Sequence, residues 1–143
     1  MATRNFNKQM DKMIACPCCG EGDLPPIMYV ILEHLKSHFN NRPVIINSGC
    51  RCWSHNEKVG GSENSQHLIR EIFDLNKSYS LAVDIRVSGL HPMTVYQYLD
   101  QLPYAHLLGL GYYEPEGDSL GWVHLDVRGD WLGGERPAAR WGA

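Results

Sequence analysis

The 143-residue chain lacks any apolar run long enough to cross a bilayer, since a transmembrane helix needs about 20 such residues. Its first residues, M-A-T-R-N-F-N-K-Q-M-D-K, also lack the apolar stretch of a secretory signal. We therefore expect no membrane insertion, and we expect the chain as given to start in the cytoplasm.

A strong excess of either charge is missing as well. The chain has 13 basic and 16 acidic residues, a formal net charge of −3 and no long basic run. Because nucleic-acid binding depends on clustered Lys and Arg that neutralise phosphates, we expect no nucleic-acid partner. The hydrophobic fraction of 43% and the charged fraction of 20% are ordinary for a globular protein. The length predicts one domain over residues 1–143. We expect residues 1–15 to be an N-terminal extension of it.

The cysteines fit neither a complete disulfide framework nor a standard zinc knuckle. There are five, in C-P-C-C-G at residues 16–20 and in G-C-R-C-W at residues 49–53, and an odd number leaves one unpaired. Cys16 and Cys19 have C-x-x-C spacing, but Cys50 and Cys52 are one residue too close to form the matching pair. We favour packing or one disulfide over a second metal site. A cysteine-based nucleic-acid module is the weakest interpretation, because the chain is acidic.

Two stretches have the apolar periodicity of amphipathic helices. The first begins after Asp23, a candidate N-cap, has Pro25 and Pro26 in its first turn, and ends at N-N-R-P. Its apolar face consists of Ile27, Met28, Ile31, Leu32, Leu35 and Phe39. The second helix opens at Pro92, and its inner face consists of Val95, Tyr98, Leu99 and Leu102.

Four short segments are predicted to be strands: P-V-I-I-N-S-G, L-A-V-D-I-R-V, L-G-L-G-Y-Y and G-W-V-H-L-D-V. Residues 51–66 are predicted to be a loop or a broken helix, and the tail at 129–143 is predicted to be a loop. The sequence therefore predicts a small single α+β domain with an antiparallel sheet and flanking helices.

One predicted strand has the polar residues that a metal site would need. A catalytic zinc usually takes three protein ligands from His and carboxylate side chains. His124 lies mid-strand in W-V-H-L-D, and strand alternation places Trp122 and Asp126 on its side. Together with His67, and with Asp84 on a neighbouring strand, this face could hold a metal ion. His124 is equally compatible with a core histidine that is hydrogen-bonded to Asp126.

The stretch S-G-C-R-C-W-S-H-N-E-K-V-G-G-S-E-N-S-Q-H-L, at residues 48–68, resembles the signature of the zinc D-alanyl-D-alanine metallopeptidases. That signature reads S-G-Y-R-x-x-x-H-N, followed by V-G-G-x-x-x-S-x-H and A-x-D-I. G-L-G-Y-Y, W-V-H-L-D-V-R-G and A-A-R-W fit the later part of the pattern, so the resemblance covers roughly residues 16–141. It implies the small α+β fold shared with the sonic hedgehog signalling domain.

The resemblance makes His67, Asp84 and His124 the zinc ligands. Asp74 is the rival of Asp84, since it lies seven residues after His67, a step that many metal sites use. However, the family places its Asp in a strand, a context that A-V-D-I-R-V at 82–87 matches and I-F-D-L-N-K does not. We favour Asp84, with R-E-I-F-D-L-N-K-S-Y as a ten-residue insertion that either reshapes the cleft rim or forms a lid.

The same resemblance assigns roles around the predicted metal. Arg51 matches the family arginine next to the site, and its guanidinium could hold the substrate carbonyl or a developing oxyanion. Ser65 matches the serine two residues before the histidine ligand and is a candidate for substrate binding. His55 and Asn56 match as well, and we interpret them as scaffolding of the loop.

The chain departs from the family pattern at the general base. Many relatives carry Glu or Asp three residues before the last His ligand, and here that residue is Gly121. Asp126 is the nearest replacement: it could act as the general base or orient a histidine ligand, and both roles remain open. Weaker candidates in the preceding turn are Glu114, Glu116 and Asp118.

The resemblance predicts a zinc-dependent peptidase, with Zn2+ as cofactor, that cleaves peptide bonds next to D-amino acids in peptidoglycan stem peptides. Either D,D-carboxypeptidase or endopeptidase activity is compatible with it, and a single domain suits a phage endolysin. We expect a monomer that acts on the bacterial cell wall after release or export. The alternative, favoured by Gly121 and the insertion, is a non-catalytic zinc-stabilised wall-binding or structural module on the same fold.

Overall fold

The computed structural model describes residues 3, 5–9, 11–63, 65–71, 78–128 and 139–143. Over these residues the helices are α1 (Pro26–His38), α2 (Trp53–Lys58), α3 (Pro92–Asp100) and a 3-10 turn at Ala105–Leu107. The strands are β1 (Val44–Ser48), β2 (Arg70–Glu71), β3 (Ser78–Tyr79), β4 (Ala82–Val87), β5 (Gly109–Tyr113), β6 (Trp122–Asp126) and β7 (Ala139–Trp141). No helix in the described part of the chain has the length and apolar character to span a membrane.

Five strands form one sheet in the order β1-β4-β6-β5-β7. The first four pair antiparallel, which confirms the predicted α+β class and antiparallel sheet, and β7 joins β5 in parallel. The loop predicted for residues 129–143 is therefore wrong at Ala139–Trp141, while residues 129–138 lie outside the described residues. Three residues are too few to show strand alternation. Instead, the Trp141 ring packs over Gly111 of β5, where an added Cβ would lie only 2.3 Å from the ring.

β4 and β6 are neighbouring inner strands, and alternation gives each of them an apolar face and a polar face. The apolar face belongs to the same hydrophobic core as α1 and α3 and consists of Val83, Ile85, Val123 and Leu125. The helices meet at His38 and Tyr98, whose ring centroids are stacked 4.0 Å apart. The polar face carries Asp84, His124 and Asp126, so these side chains lie on the side of the sheet away from α1 and α3.

The first helix starts later than the sequence predicts. α1 begins at Pro26, a position where the missing amide costs no helical hydrogen bond. Asp23 does not cap it: the N-cap is Pro25, and the Asp23 carboxylate instead accepts a hydrogen bond from the Tyr29 hydroxyl. The prediction of Asp23 as N-cap is therefore wrong, because the two prolines move the helix start beyond its reach.

The predicted insertion begins in one strand and ends in the other strand of a two-stranded antiparallel sheet. Arg70 pairs with Tyr79 and Glu71 with Ser78, so β2 and β3 bring the ends of the insertion together. Residues 72–77, which include Asp74, lie outside the described residues. Within the predicted loop at 51–66, residues 53–58 form the short helix α2, which confirms the broken-helix interpretation.

The described part of the N-terminal segment packs on the domain. Phe6 and Ile14 are buried in the hydrophobic core. The amide and side chain of Asn5 donate to the Glu33 carboxylate on α1 at 2.9 and 2.7 Å. The extension predicted for residues 1–15 therefore contributes to the core.

Candidate metal centre

His67 lies in a loop that hydrogen bonds hold on both sides. Its carbonyl accepts from the Arg51 amide at 2.8 Å, and its own amide donates to Ser65 Oγ at 3.1 Å. Ring atom Nδ1 is 2.7 Å from the Gly49 carbonyl oxygen, which can only accept, so Nδ1 carries the proton. In the neutral ring Nε2 therefore keeps its lone pair, and it faces Oδ1 of Asp84 at 3.2 Å.

His124 lies on β6 and is held by Asp126, two residues further on. Its Nε2 is 2.7 Å from Oδ2 of Asp126, and its Nδ1 is 3.2 Å from Oδ1 of Asp84. Burial lowers the pKa of His124, but the hydrogen bonds with Asp126 and Asp84 outweigh burial and raise the pKa above its usual value. The predicted alternation is confirmed, because His124 and Asp126 share one face of the strand.

Asp84 connects the two histidines. It is paired in register with His124 across β4 and β6, as expected for neighbouring strands. Its Oδ1 lies 3.2 Å from each imidazole, and its Oδ2 lies 3.7 Å from Nη2 of Arg51. Burial alone raises the pKa of Asp84, but the two histidines outweigh burial and hold the pKa well below its usual range. The carboxylate is therefore ionised.

His67, Asp84 and His124, here termed the candidate metal centre, fit a metal ion in chemistry and in spacing. One ligand atom from each lies within 4.8 Å of the others. Ligand atoms about 2.0 Å from a tetrahedral ion are about 3.3 Å apart, and the two nitrogen–oxygen separations are both 3.2 Å. Each histidine also has its second nitrogen bonded to an acceptor, as metal-bound histidines do. These side chains are suited to a divalent ion such as zinc.

A cleft of about 470 Å³ opens over the candidate metal centre. Arg51 and Ser65, the residues predicted to contact substrate, both line it. Nη1 of Arg51 donates to Oδ1 of Asn56 at 3.3 Å, and Nδ2 of the buried Asn56 donates to the Ser62 carbonyl at 2.9 Å. Asn56 therefore holds the guanidinium in place, which agrees with its interpretation as scaffolding.

Asp126 lies behind His124 and not in the cleft. Its side chain is fully buried and is not among the residues that line the cleft. Besides His124, its two oxygens accept from Nε and Nη2 of Arg128 at 2.8 and 2.7 Å. Burial alone raises the pKa of Asp126, but these partners outweigh burial and lower the pKa to about 2. Of the two roles left open, this geometry favours orientation of His124 over proton transfer.

Residue 121, the position of the general base in the family pattern, has a backbone conformation and surroundings that favour glycine. Gly121 has φ of 73°, and a Cβ there would lie 2.4 Å from the Tyr113 carbonyl oxygen. Among the described residues that line the cleft, Asp84 is the sole carboxylate. The acidic side chains of the preceding turn are exposed to solvent: Glu114, Glu116 and Asp118. The described part of the chain therefore supplies no second carboxylate to the cleft.

Three aromatic side chains that the motifs did not assign to the site line the cleft beside His124. Tyr113 and Trp122 stack with ring centroids 4.5 Å apart, and Nε1 of Trp141 donates to the Tyr113 hydroxyl at 3.1 Å. The Trp141 ring also lies 4.9 Å from the His124 ring, and the Arg128 guanidinium lies over it at 5.4 Å. Alternation places Trp122 on this face, whereas no periodic signal marks Trp141 in the tail.

The fold and the site define a class of protein: an α+β domain in which a histidine and an aspartate on the sheet meet a histidine from a loop beneath a cleft. The family model of Peptidase M15 matches residues 10–126. The chain therefore belongs to the Peptidase M15 family, a family of metallopeptidases, and the resemblance found in its motifs is confirmed. Comparison with curated proteins and with solved structures gave no match.

Proposed function

We propose that the chain is a zinc-dependent peptidase that hydrolyses peptide bonds next to D-amino acids in peptidoglycan stem peptides. The observation that carries the proposal is the convergence of His67, Asp84 and His124 beneath the cleft. Membership of a metallopeptidase family supports the reaction class. The motif at residues 48–68, which resembles that of the D-alanyl-D-alanine peptidases, supports the substrate class.

In this proposal the candidate metal centre holds the zinc ion. Bound zinc supplies Lewis acidity, which polarises a carbonyl group and activates water. The Gly49 carbonyl fixes the tautomer of His67, so that Nε2 faces Asp84. Asp126 does the same for His124, so that Nδ1 faces Asp84. The two histidines are therefore oriented before a ligand arrives.

Arg51 is the proposed donor to the substrate carbonyl oxygen as negative charge develops on it. Its guanidinium is always charged, lines the cleft and is held by Asn56. A preorganised donor of this kind contributes about 3 to 4 kcal/mol to transition-state stabilisation. Ser65 lines the same cleft and is proposed to bind substrate. Three aromatic side chains that also line the cleft would exclude water from the bound peptide: Tyr113, Trp122 and Trp141.

A second candidate function is a non-catalytic, zinc-stabilised module that binds the cell wall. The observation that favours it is Gly121, together with Asp84 as the sole carboxylate among the described cleft residues. This function predicts that the protein binds zinc and wall fragments but hydrolyses nothing, even at high protein concentration.

Digestion of purified peptidoglycan, followed by mass analysis of the products, separates the two functions. A peptidase should release D-alanine or cleave cross-linked fragments, lose this activity with chelator and regain it with zinc. His67→Ala should abolish the activity, and His34→Ala, at an exposed position on α1, should leave it unchanged. If the peptidoglycan stays intact after incubation with folded, zinc-loaded protein, the peptidase function is excluded and the wall-binding function remains.

A further inference from the structure

Three thiols converge at a second place in the molecule, outside the cleft. One Sγ atom from each of Cys16, Cys19 and Cys52, here termed the cysteine cluster, lies within 4.8 Å of the others. Cys18, in the same C-P-C-C-G turn, is exposed and is not one of the three. None of the five cysteines lines the cleft. The cluster is therefore separate from the candidate metal centre.

The turn C-P-C-C-G forms one side of the cysteine cluster. The Gly20 amide donates to the Cys16 carbonyl at 2.7 Å, and Gly20 has φ of 74°, a conformation that favours glycine. This tight turn brings the thiols of Cys16 and Cys19 together. Cys16 is buried and Cys19 is exposed, so solvent reaches the cluster from one side.

Cys52, the residue before α2, forms the other side of the cluster. Its amide donates to Sγ of Cys16 at 3.4 Å, and its own Sγ accepts from the His55 amide at 3.4 Å. Amide donors directed at sulfur favour the thiolate, which is the form that binds metal ions.

Cys50 is a buried thiol that does not belong to the cysteine cluster. Its Sγ accepts a hydrogen bond from the Ser80 hydroxyl at 3.2 Å and donates to the Asp23 carbonyl at 3.4 Å. Neither of these partners belongs to the cysteine cluster. Cys50 is therefore a matched control for the cysteine cluster.

Three thiols in mutual proximity suit a metal ion better than a disulfide. A disulfide joins two sulfur atoms and would leave the third beside it unused, and all five cysteines are free thiols in this structure. Zinc binds thiolates at about 2.3 Å, which places sulfur ligands of a tetrahedral site about 3.8 Å apart. That separation lies within the 4.8 Å that bounds the cluster.

We propose that Cys16, Cys19 and Cys52 hold a structural zinc ion. The exposed Cys18 of the same turn is the candidate for the fourth position. The ion would fasten the N-terminal turn to the segment that carries Arg51 into the cleft. The two segments already meet there, since the Cys50 amide donates to the Ile14 carbonyl at 2.9 Å.

Metal content tests this site without any measurement of activity. Zinc-loaded, dialysed Cys16→Ser/Cys52→Ser protein should contain one zinc ion fewer per chain than the wild type. Cys50→Ala should contain as much zinc as the wild type. His67→Ala/His124→Ala should lose a different ion, so a failure of the candidate metal centre leaves this proposal standing. Equal zinc in the cysteine variant and the wild type would overturn it.

Two measurements on the unmodified chain remain decisive if the cysteine variant does not fold. With Co2+ in place of zinc, thiolate ligands give a near-ultraviolet charge-transfer band that histidine and carboxylate ligands do not give. The exposed Cys19 thiol should also resist alkylation until a chelator removes zinc. A missing band, alkylation of Cys19 that is equally fast with and without zinc, or a disulfide within the cluster would each overturn the proposal.

Discussion

Asp84 is the residue at which the two histidines and Arg51 meet. We expect Asp84→Asn to lower zinc affinity by more than about 100-fold, because residues that only orient a ligand already change affinity by about 10- to 100-fold. Competition with a chromophoric chelator measures the affinity. Asp74→Asn is the control at the rival carboxylate and should bind zinc as the wild type does. If Asp74→Asn weakened zinc binding and Asp84→Asn did not, the carboxylate ligand would be Asp74 in the insertion.

Asp126 offers a test between orientation and proton transfer. If it orients His124, Asp126→Asn should weaken zinc binding by about 10- to 100-fold, and saturating zinc should restore most of kcat. A general base would instead leave zinc affinity unchanged and abolish kcat at saturating zinc. Zinc titration followed by kcat measurement at saturation distinguishes the two. Asp118→Asn, in the exposed turn, is the control and should change neither quantity.

Arg51 should act on the reaction and not on the metal. Arg51→Lys keeps the charge but removes the planar fork of donors that Asn56 holds. We expect kcat to fall by about 100- to 1000-fold, with zinc content unchanged by elemental analysis. Arg42→Lys, which removes a guanidinium bonded to the Ser88 carbonyl far from the cleft, should leave kcat unchanged. A change in KM alone would mean that Arg51 only binds substrate.

Single residues were predictable where they lie in a periodic pattern. His124 and Asp126 alternate on one strand, and Asp84 lies on the next strand of the sheet. The tautomer of His67 was not predictable, because it depends on the direction of the Gly49 carbonyl. Arg128, which is bonded to Asp126, was missed although strand alternation places it on the same side.

At the scale of elements, the strands that carry the candidate metal centre depend on the apolar face behind them. Leu125 on β6 is fully buried between His124 and Asp126 in sequence. We expect Leu125→Ala to lower the free energy of unfolding by about 2 to 5 kcal/mol, because it leaves a cavity in the core. Urea unfolding measures the loss. Leu120→Ala, at a side chain that is 62% exposed, is the matched control and should change stability by less than about 0.5 kcal/mol.

The elements themselves followed from the sequence to different degrees. β4 and β6 have clear alternation between apolar and polar residues, and both were predicted. β7 has three residues and no alternation, and it is fixed by contacts of Trp141 with Gly111 and with Tyr113, which are distant in sequence. Elements that depend on such long-range contacts have no local sequence pattern from which they could be predicted.

At the scale of the whole molecule, the segment 49–52 links the two proposed metal sites. Gly49 orients His67, Arg51 reaches Asp84, and Cys52 belongs to the cysteine cluster. Backbone hydrogen bonds hold this segment between Ile14 on one side and residues 67–69 on the other. The sequence shows that these residues are neighbours, but it cannot show which distant segments flank them. We therefore expect a change at either proposed metal site to affect the other.

Removal of zinc is expected to destabilise the whole molecule. An ion that binds only the folded chain stabilises it by about 2.7 kcal/mol at a free concentration of about 100 times its Kd. For a chain of this size, the loss of each such ion lowers Tm by about 5 to 10 °C, and the wild type would lose two. Thermal unfolding followed by circular dichroism, with and without chelator, measures the shift.

His67→Ala and Cys52→Ser should each show a smaller shift than the wild type, and His34→Ala should show the full shift. An unchanged wild-type Tm on chelation would mean that neither site binds zinc in the folded protein.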